Sequence, residues 1–148
     1  MKQKPRIQIS LHEVDLRLKQ KPLKAFVQAV LQQEQIPASH VHIILVNDEY
    51  LRQLHARFLN DDTYTDVMTF NLGDQEDIEG EIYISLDRAG KHAQRFGVTL
   101  AEEILRLIAH GLLHLKGLDD ETEAQRKVMR QKEDQILKTL APTEAFLE

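Results

Sequence analysis

Two hydrophobic periods alternate along this chain. Arg6-Ile7-Gln8-Ile9-Ser10 steps with a period of two and predicts a strand. From Pro22 the apolar residues Leu23, Phe26, Val27, Val30 and Leu31 fall at helical spacing, predicting a helix to about Gln35, before Pro37. Val41-His42-Ile43-Ile44-Leu45-Val46 reads as a buried strand, and Asn47 is then a good N-cap for a helix carrying Tyr50, Leu51, Leu54 and Phe58. The polar loop Asn60-Asp61-Asp62 precedes a strand over Asp66–Asn71, and an acidic turn from Asp74 to Asp77 precedes an alternating strand over Ile78–Ser85. Asp87 is expected to cap a helix reaching about Phe96, which Gly97 stops. Thr99 with Glu102 makes a capping box for a helix through Ile104, Leu107 and Ile108 to Gly117, and a charged amphipathic helix spans Thr122 to Leu140. Strands bunch in the middle and helices outnumber them. The expected class is therefore α+β, with a small mixed four-stranded sheet and about five helices.

Composition narrows the chemistry. A chain of 148 residues suits one domain over residues 1–148, with 141–148 expected to form a loose tail. No stretch approaches the roughly 18 apolar residues of a membrane span. The basic run Met1-Lys2-Gln3-Lys4-Pro5-Arg6 leads into no apolar segment of the kind a secretory signal needs, so no membrane partner and a cytoplasmic location are expected. Cysteine is absent, which excludes disulfides, thiolate zinc sites and a Cys nucleophile; a transition metal would have to sit on His nitrogen and carboxylate oxygen. The net charge of −5 does not advertise broad nucleic-acid binding.

The segment His110-Gly111-Leu112-Leu113-His114-Leu115-Lys116-Gly117-Leu118-Asp119-Asp120 carries the strongest signal. Histidines four apart on a helix project from one face, about 5–6 Å apart at Cβ, within reach of one ion. Gly117 can take the left-handed conformation that reverses the chain and returns Asp120 toward them. His110, His114 and Asp120 are thus the expected ligands of one zinc ion, whose fourth position would stay open as in catalytic sites. The competing reading makes both histidines polar residues flanking the apolar stripe of Ile104, Ile108, Leu112 and Leu115. The layout is that of the zincins, but Gly111 stands where their Glu base follows the first His, which argues against a peptidase.

These residues resemble the YbeY family of bacterial metal-dependent endoribonucleases implicated in ribosomal RNA maturation. Asp62-Thr63-Tyr64-Thr65-Asp66-Val67-Met68-Thr69-Phe70 is similar to the family's Asp-x-Pro-Thr-Asp-Val-Leu-Ser-Phe block. Gly80-Glu81-Ile82-Tyr83-Ile84-Ser85 follows in order, and Met129 and Glu133 fit the closing helix. The resemblance implies a zinc-dependent nuclease of single-stranded ribosomal RNA working on the ribosome or its small subunit. Two positions depart from the pattern. Asp120 replaces a third His, which keeps a site possible but lowers its net charge and weakens the ion as a Lewis acid. Leu59 stands where the family places an active-site Arg. Arg57 is near in sequence but on another helix face, whereas Arg106, one turn before His110, is the better candidate to clamp a phosphate. No general base is identifiable, and Asp119 reads equally as support for the third ligand or as a turn residue.

Other charges divide the same way. Arg52, His55 and Arg57 on one helix, and Lys91, His92 and Arg95 on another, are either phosphate-facing patches or solvated faces. Arg126, Lys127, Arg130 and Lys132 among Glu123, Glu133 and Asp134 read as surface pairs, and His40 with His42 as an exposed pair. The alternatives to a nuclease are a ribosome-associated assembly factor with a structural metal and a metal-dependent hydrolase of another substrate. A non-haem iron oxygenase, suggested by two His and one carboxylate, ranks below them.

Overall fold

The computed structural model describes residues 4–148. Residues 1–3, half of the basic N-terminal run, lie outside the described residues. Strand β1 (Arg6–Leu11) leads through helix α1 (Gln20–Gln33) to β2 (Ala38–Val46), followed by α2 (Asp48–Leu59), β3 (Val67–Asn71) and β4 (Ile78–Ser85). Three helices close the chain: α3 (Leu86–Phe96), α4 (Leu100–Lys116) and α5 (Glu123–Leu140). The sheet order is β1-β2-β4-β3, with β1, β2 and β4 parallel and β3 antiparallel on the β4 edge. The α+β class with a four-stranded mixed sheet and five helices is therefore the observed architecture. No helix among the described residues is long and apolar enough to cross a membrane.

Side-chain alternation sorts the sheet into two faces. Val41, Ile43 and Leu45 of β2 and Ile82 and Ile84 of β4 join α1 and α4 in the larger core. Ile44 and Val46 point the other way and meet Leu51 and Leu54 of α2 and Met68 of β3. Burial on both faces explains why β2 reads as a continuous apolar run rather than an alternation. His40 and His42 sit on the α2 side but are not free: their Nε2 atoms bond Gln8 Oε1 (2.6 Å) and Ser10 Oγ (2.7 Å) on β1.

Several boundaries move, each for a local reason. Helix α1 starts two residues before Pro22, because a proline in the first turn forfeits no intrahelical bond. Asn47 caps α2 by accepting from Tyr50 N (2.7 Å), as expected. Ser85, not Asp87, caps α3: its Oγ accepts from Arg88 N (3.1 Å) and donates to Asp48 Oδ1 (2.9 Å). Asp87 instead accepts from Asp48 N (2.7 Å), helping to satisfy the start of α2. Thr99 makes half of its expected box, while the reciprocal pair forms at α5 between Thr122 and Gln125. The tail expected to be loose is docked. Phe146 is 3% exposed, its carbonyl accepts from Lys19 N (2.8 Å), and Glu148 N donates to Arg17 O (3.1 Å). One buried aromatic ring is enough to anchor a segment whose polarity otherwise reads as solvated.

Candidate metal centre

Helix α4 and the sheet meet at glycines that leave no space for a side chain. A Cβ at Gly111 would stand 2.8 Å from Ile82 Cγ2, and one at Gly80 would stand 2.5 Å from Leu115 Cδ1. Position 111 therefore faces the packed interior of β4, so the residue after the first histidine has no room for a base. The buried stripe Ile104, Ile108, Leu112 and Leu115 fixes the helix rotation and leaves His110 and His114 on the adjoining face. At the C-terminus Gly117 adopts φ 112° and donates to His114 O (3.0 Å), while Leu118 N donates to Leu113 O (3.0 Å). Those bonds end the helix and turn the chain back across its own last turn.

The turn delivers Asp120 to the histidines. Its Oδ2 lies 3.2 Å from His110 Nε2 and 3.4 Å from His114 Nε2, and the two Nε2 atoms are 3.0 Å apart. A tetrahedral ion with bonds of about 2.0–2.2 Å sets its donor atoms roughly 3.3–3.5 Å from one another, so the triangle matches to within a few tenths of an ångström. Two nitrogens and one carboxylate oxygen form a donor set that suits zinc, and these three residues can hold a metal ion.

Helix α5 supplies a partner that the surface-pair reading of its charges misses. Glu133 is 6% exposed, and its Oε2 accepts from His110 Nδ1 at 2.6 Å. An ionised carboxylate only accepts, so Nδ1 carries the proton and Nε2 offers a lone pair to the cavity. Burial alone would lower the His110 pKa, but the Glu133 bond and the carboxylates of Glu133, Asp120 and Asp66 outweigh it and raise it. The available signal was Glu133 interrupting the apolar stripe of α5 between Met129 and Ile136.

Arg106 goes elsewhere than expected. It donates to Glu133 Oε1 (3.1 Å) and to Asp134 Oδ1 (2.7 Å), so it secures the carboxylate behind His110 and does not line the cavity. Arg57 is exposed on a separate shallow surface with Glu49, Arg52 and Asp62. Arg52 of the same patch is bound to Glu49 (3.3 Å) and Asp62 (3.0 Å). Asp119 is exposed in the turn.

The triangle opens onto a cavity of about 490 Å³ that follows the outer edge of β3 from Thr65 to Asn71 and is closed by His55 and Leu59 of α2. Among the described residues, none of those lining it is Lys or Arg. Besides Asp120 the one carboxylate in it is Asp66, whose Oδ2 is 3.7 Å from His92 Nδ1. The same His92 Nδ1 lies 3.7 Å from Oε1 of Glu103, which is 5% exposed. Burial raises the Glu103 pKa, and His92 and Arg106 offset only part of that rise. Glu103 stands two helical turns before His110, and a charged residue at that spacing on the histidine face was its sequence signal.

The chain is similar to known proteins over most of its length. The family profile described as Endoribonuclease YbeY matches residues 7–141. Endoribonuclease YbeY of Chlorobium phaeovibrioides is 38% identical over 133 residues, covering 89% of this chain and 90% of the relative. The protein of the same name from Flavobacterium johnsoniae is 36% identical over 110 residues, covering 74% and 79%. Among solved structures, the solution structure of TM1509 from Thermotoga maritima superposes with a TM-score of 0.59 at 29% identity, covering 89% of each chain.

Proposed function

This chain belongs to the YbeY endoribonuclease family, and from that premise we propose that it is a zinc-dependent endoribonuclease of single-stranded ribosomal RNA. It would act in the cytoplasm on the ribosome or its small subunit during ribosome biogenesis. The observation that carries the reading is the triangle of His110 Nε2, His114 Nε2 and Asp120 Oδ2 with sides of 3.0–3.4 Å, at the wall of an accessible cavity.

His110, His114 and Asp120 would hold a divalent ion, which would supply Lewis-acid stabilisation of phosphodiester charge and a more acidic water. The protein's own residues do the rest. Glu133 holds His110 in the tautomer that faces the cavity, and Arg106 holds Glu133. Gly117 sets the return of the chain that brings in Asp120. Asp66, the carboxylate on the cavity wall outside the triangle, is the group we assign to take a proton from an attacking hydroxyl or water, and His92 Nδ1 lies 3.7 Å from its Oδ2.

Metal analysis of purified wild type and His114→Ala tests the centre. One zinc per chain in wild type and loss of it in the variant are expected; equal metal contents would sink the site. Incubation of single-stranded ribosomal RNA fragments with wild type and His110→Ala then tests the activity. Cleavage by wild type alone is expected. Equal cleavage by both would assign it to a contaminant, and cleavage by neither, with zinc bound, would favour an assembly factor with a structural metal.

A further inference from the structure

The cavity raises a question about grip. Nucleic-acid sites usually hold phosphates with Lys and Arg, yet among the described residues none lines this one, and Leu59 occupies its α2 edge. Arg106 and Arg52 are engaged by carboxylates, and the chain as a whole carries −5. A metal ion can hold one phosphate, but the rest of a bound strand needs another source of affinity.

What the cavity mouth offers is apolar surface. Phe58 and Leu59, consecutive at the end of α2, are 58% and 60% exposed. Leu59 lines the cavity. The Phe58 ring meets Phe70, which also lines it, edge to face: the centroids are 5.4 Å apart and the planes inclined by 64°. Phe70 in turn packs edge-on against Tyr83, with centroids 5.9 Å apart at 84°. Phe58 is thus the outermost ring of an aromatic row seated on the sheet, held rigidly from behind and open in front. Asn60, in the left-handed conformation at φ 52°, ends α2 two residues after Phe58 and sets the corner on which the ring stands.

We propose that Phe58, backed by Phe70, is a stacking platform for one unpaired nucleobase of the RNA whose phosphate lies at the His110–His114–Asp120 triangle. This rests on the endoribonuclease reading. Stacking suits the surface because every base has a π-face, needs no cation and is worth a large factor in affinity per base. It also accounts for a preference for single strands, since a base already stacked in a duplex has no face to give. Recognition by stacking alone is tolerant of base identity, because every base presents a π-face.

The test uses the full-length, zinc-loaded protein and a short single-stranded RNA carrying 2-aminopurine, whose fluorescence is quenched when it stacks. The binding constant is read separately by anisotropy of an end label. Phe58→Ala should weaken binding about 5- to 150-fold, the range for losing one base–aromatic stack, and abolish the quench at the stacked position. Phe58→Trp should retain both. Zinc content of each variant serves as the folding control. If wild type binds RNA and Phe58→Ala binds within twofold of it with the quench intact, the platform is wrong and the nuclease reading stands. If zinc-loaded wild type neither binds nor cleaves RNA, the nuclease reading falls and takes the platform with it.

Discussion

Glu133 carries the charge that decides how His110 presents itself to a metal. Without an acceptor at Nδ1, the imidazole would sample either tautomer and rotate; with one, Nε2 is committed to the cavity. Arg106 completes a relay of fixed charges, since its guanidinium spans Glu133 and Asp134. Glu133→Gln keeps the shape but removes the charge and can leave an amide donor facing Nδ1–H. Zinc affinity measured by competition with a chelator should fall about 10- to 100-fold, the usual cost of losing a ligand's supporting partner. An unchanged affinity would mean that His110 is oriented by packing alone. The ligands themselves were legible in the sequence, because His110, His114 and the glycine turn are local. Glu133 was not, because its role depends on where α5 docks, 23 residues downstream of His110.

At the scale of elements, the centre depends on how closely α4 approaches β4. Gly111 is legible as the absence of a peptidase base, but only the packing shows what the glycine does instead. Ile82 is fully buried and occupies the space that a Cβ at 111 would need. Ala at this position gains up to about 1 kcal/mol of helix propensity, but the overpacked contact costs about 1–3 kcal/mol. Taken at the middle of those ranges, Gly111→Ala should lose about 1 kcal/mol of stability by urea unfolding. A variant as stable as wild type would show that α4 can lift off the sheet without penalty. The loop into β3 is held by a different device. Tyr64 lies between two guanidinium groups, 4.7 Å from that of Arg88 and 5.4 Å from that of Arg52. In the family block to which this segment is similar, the corresponding residue is proline, so a restrained backbone there is traded for a clasp between side chains.

At the scale of the whole molecule, Glu34 ties three helices together. It follows the last turn of α1, is 9% exposed, and accepts from Lys116 of α4 (3.1 Å) and Lys132 of α5 (2.9 Å). Burial would raise its pKa, but the two ammonium groups win and hold it below the ordinary 4.5. A carboxyl depressed by folding stabilises the fold above its unfolded pKa, and that contribution is lost as pH falls through the folded value. Since both lysines are partly solvated, its worth is about 1 kcal/mol. Glu34→Gln should thus unfold at lower urea than wild type at pH 7, and the gap should close as pH drops below 4.5. A gap that persisted in acid would place the effect in packing rather than charge.

Local information in the sequence determined most of what is local in this protein: the strands and helices, the Asn47 and Gly117 caps, and the three candidate ligands. Those features need only side-chain periodicity and backbone preference within one or two turns. Its family resemblance also belongs to that level, because it rests on short contiguous blocks. Only the tertiary structure decided which charges are buried and where they point. Glu133 reads as one of the surface pairs of its helix, yet it, Glu103 and Glu34 are each buried where two or more elements meet. Arg106 changed from a candidate phosphate clamp to a support for His110 because α5 lies across it. The docked Phe146 and the aromatic row ending at Phe58 also need partners far along the chain. The physical reason is the same in each case. Desolvation and ion pairing depend on which surfaces come together, and no single segment of the chain carries that information.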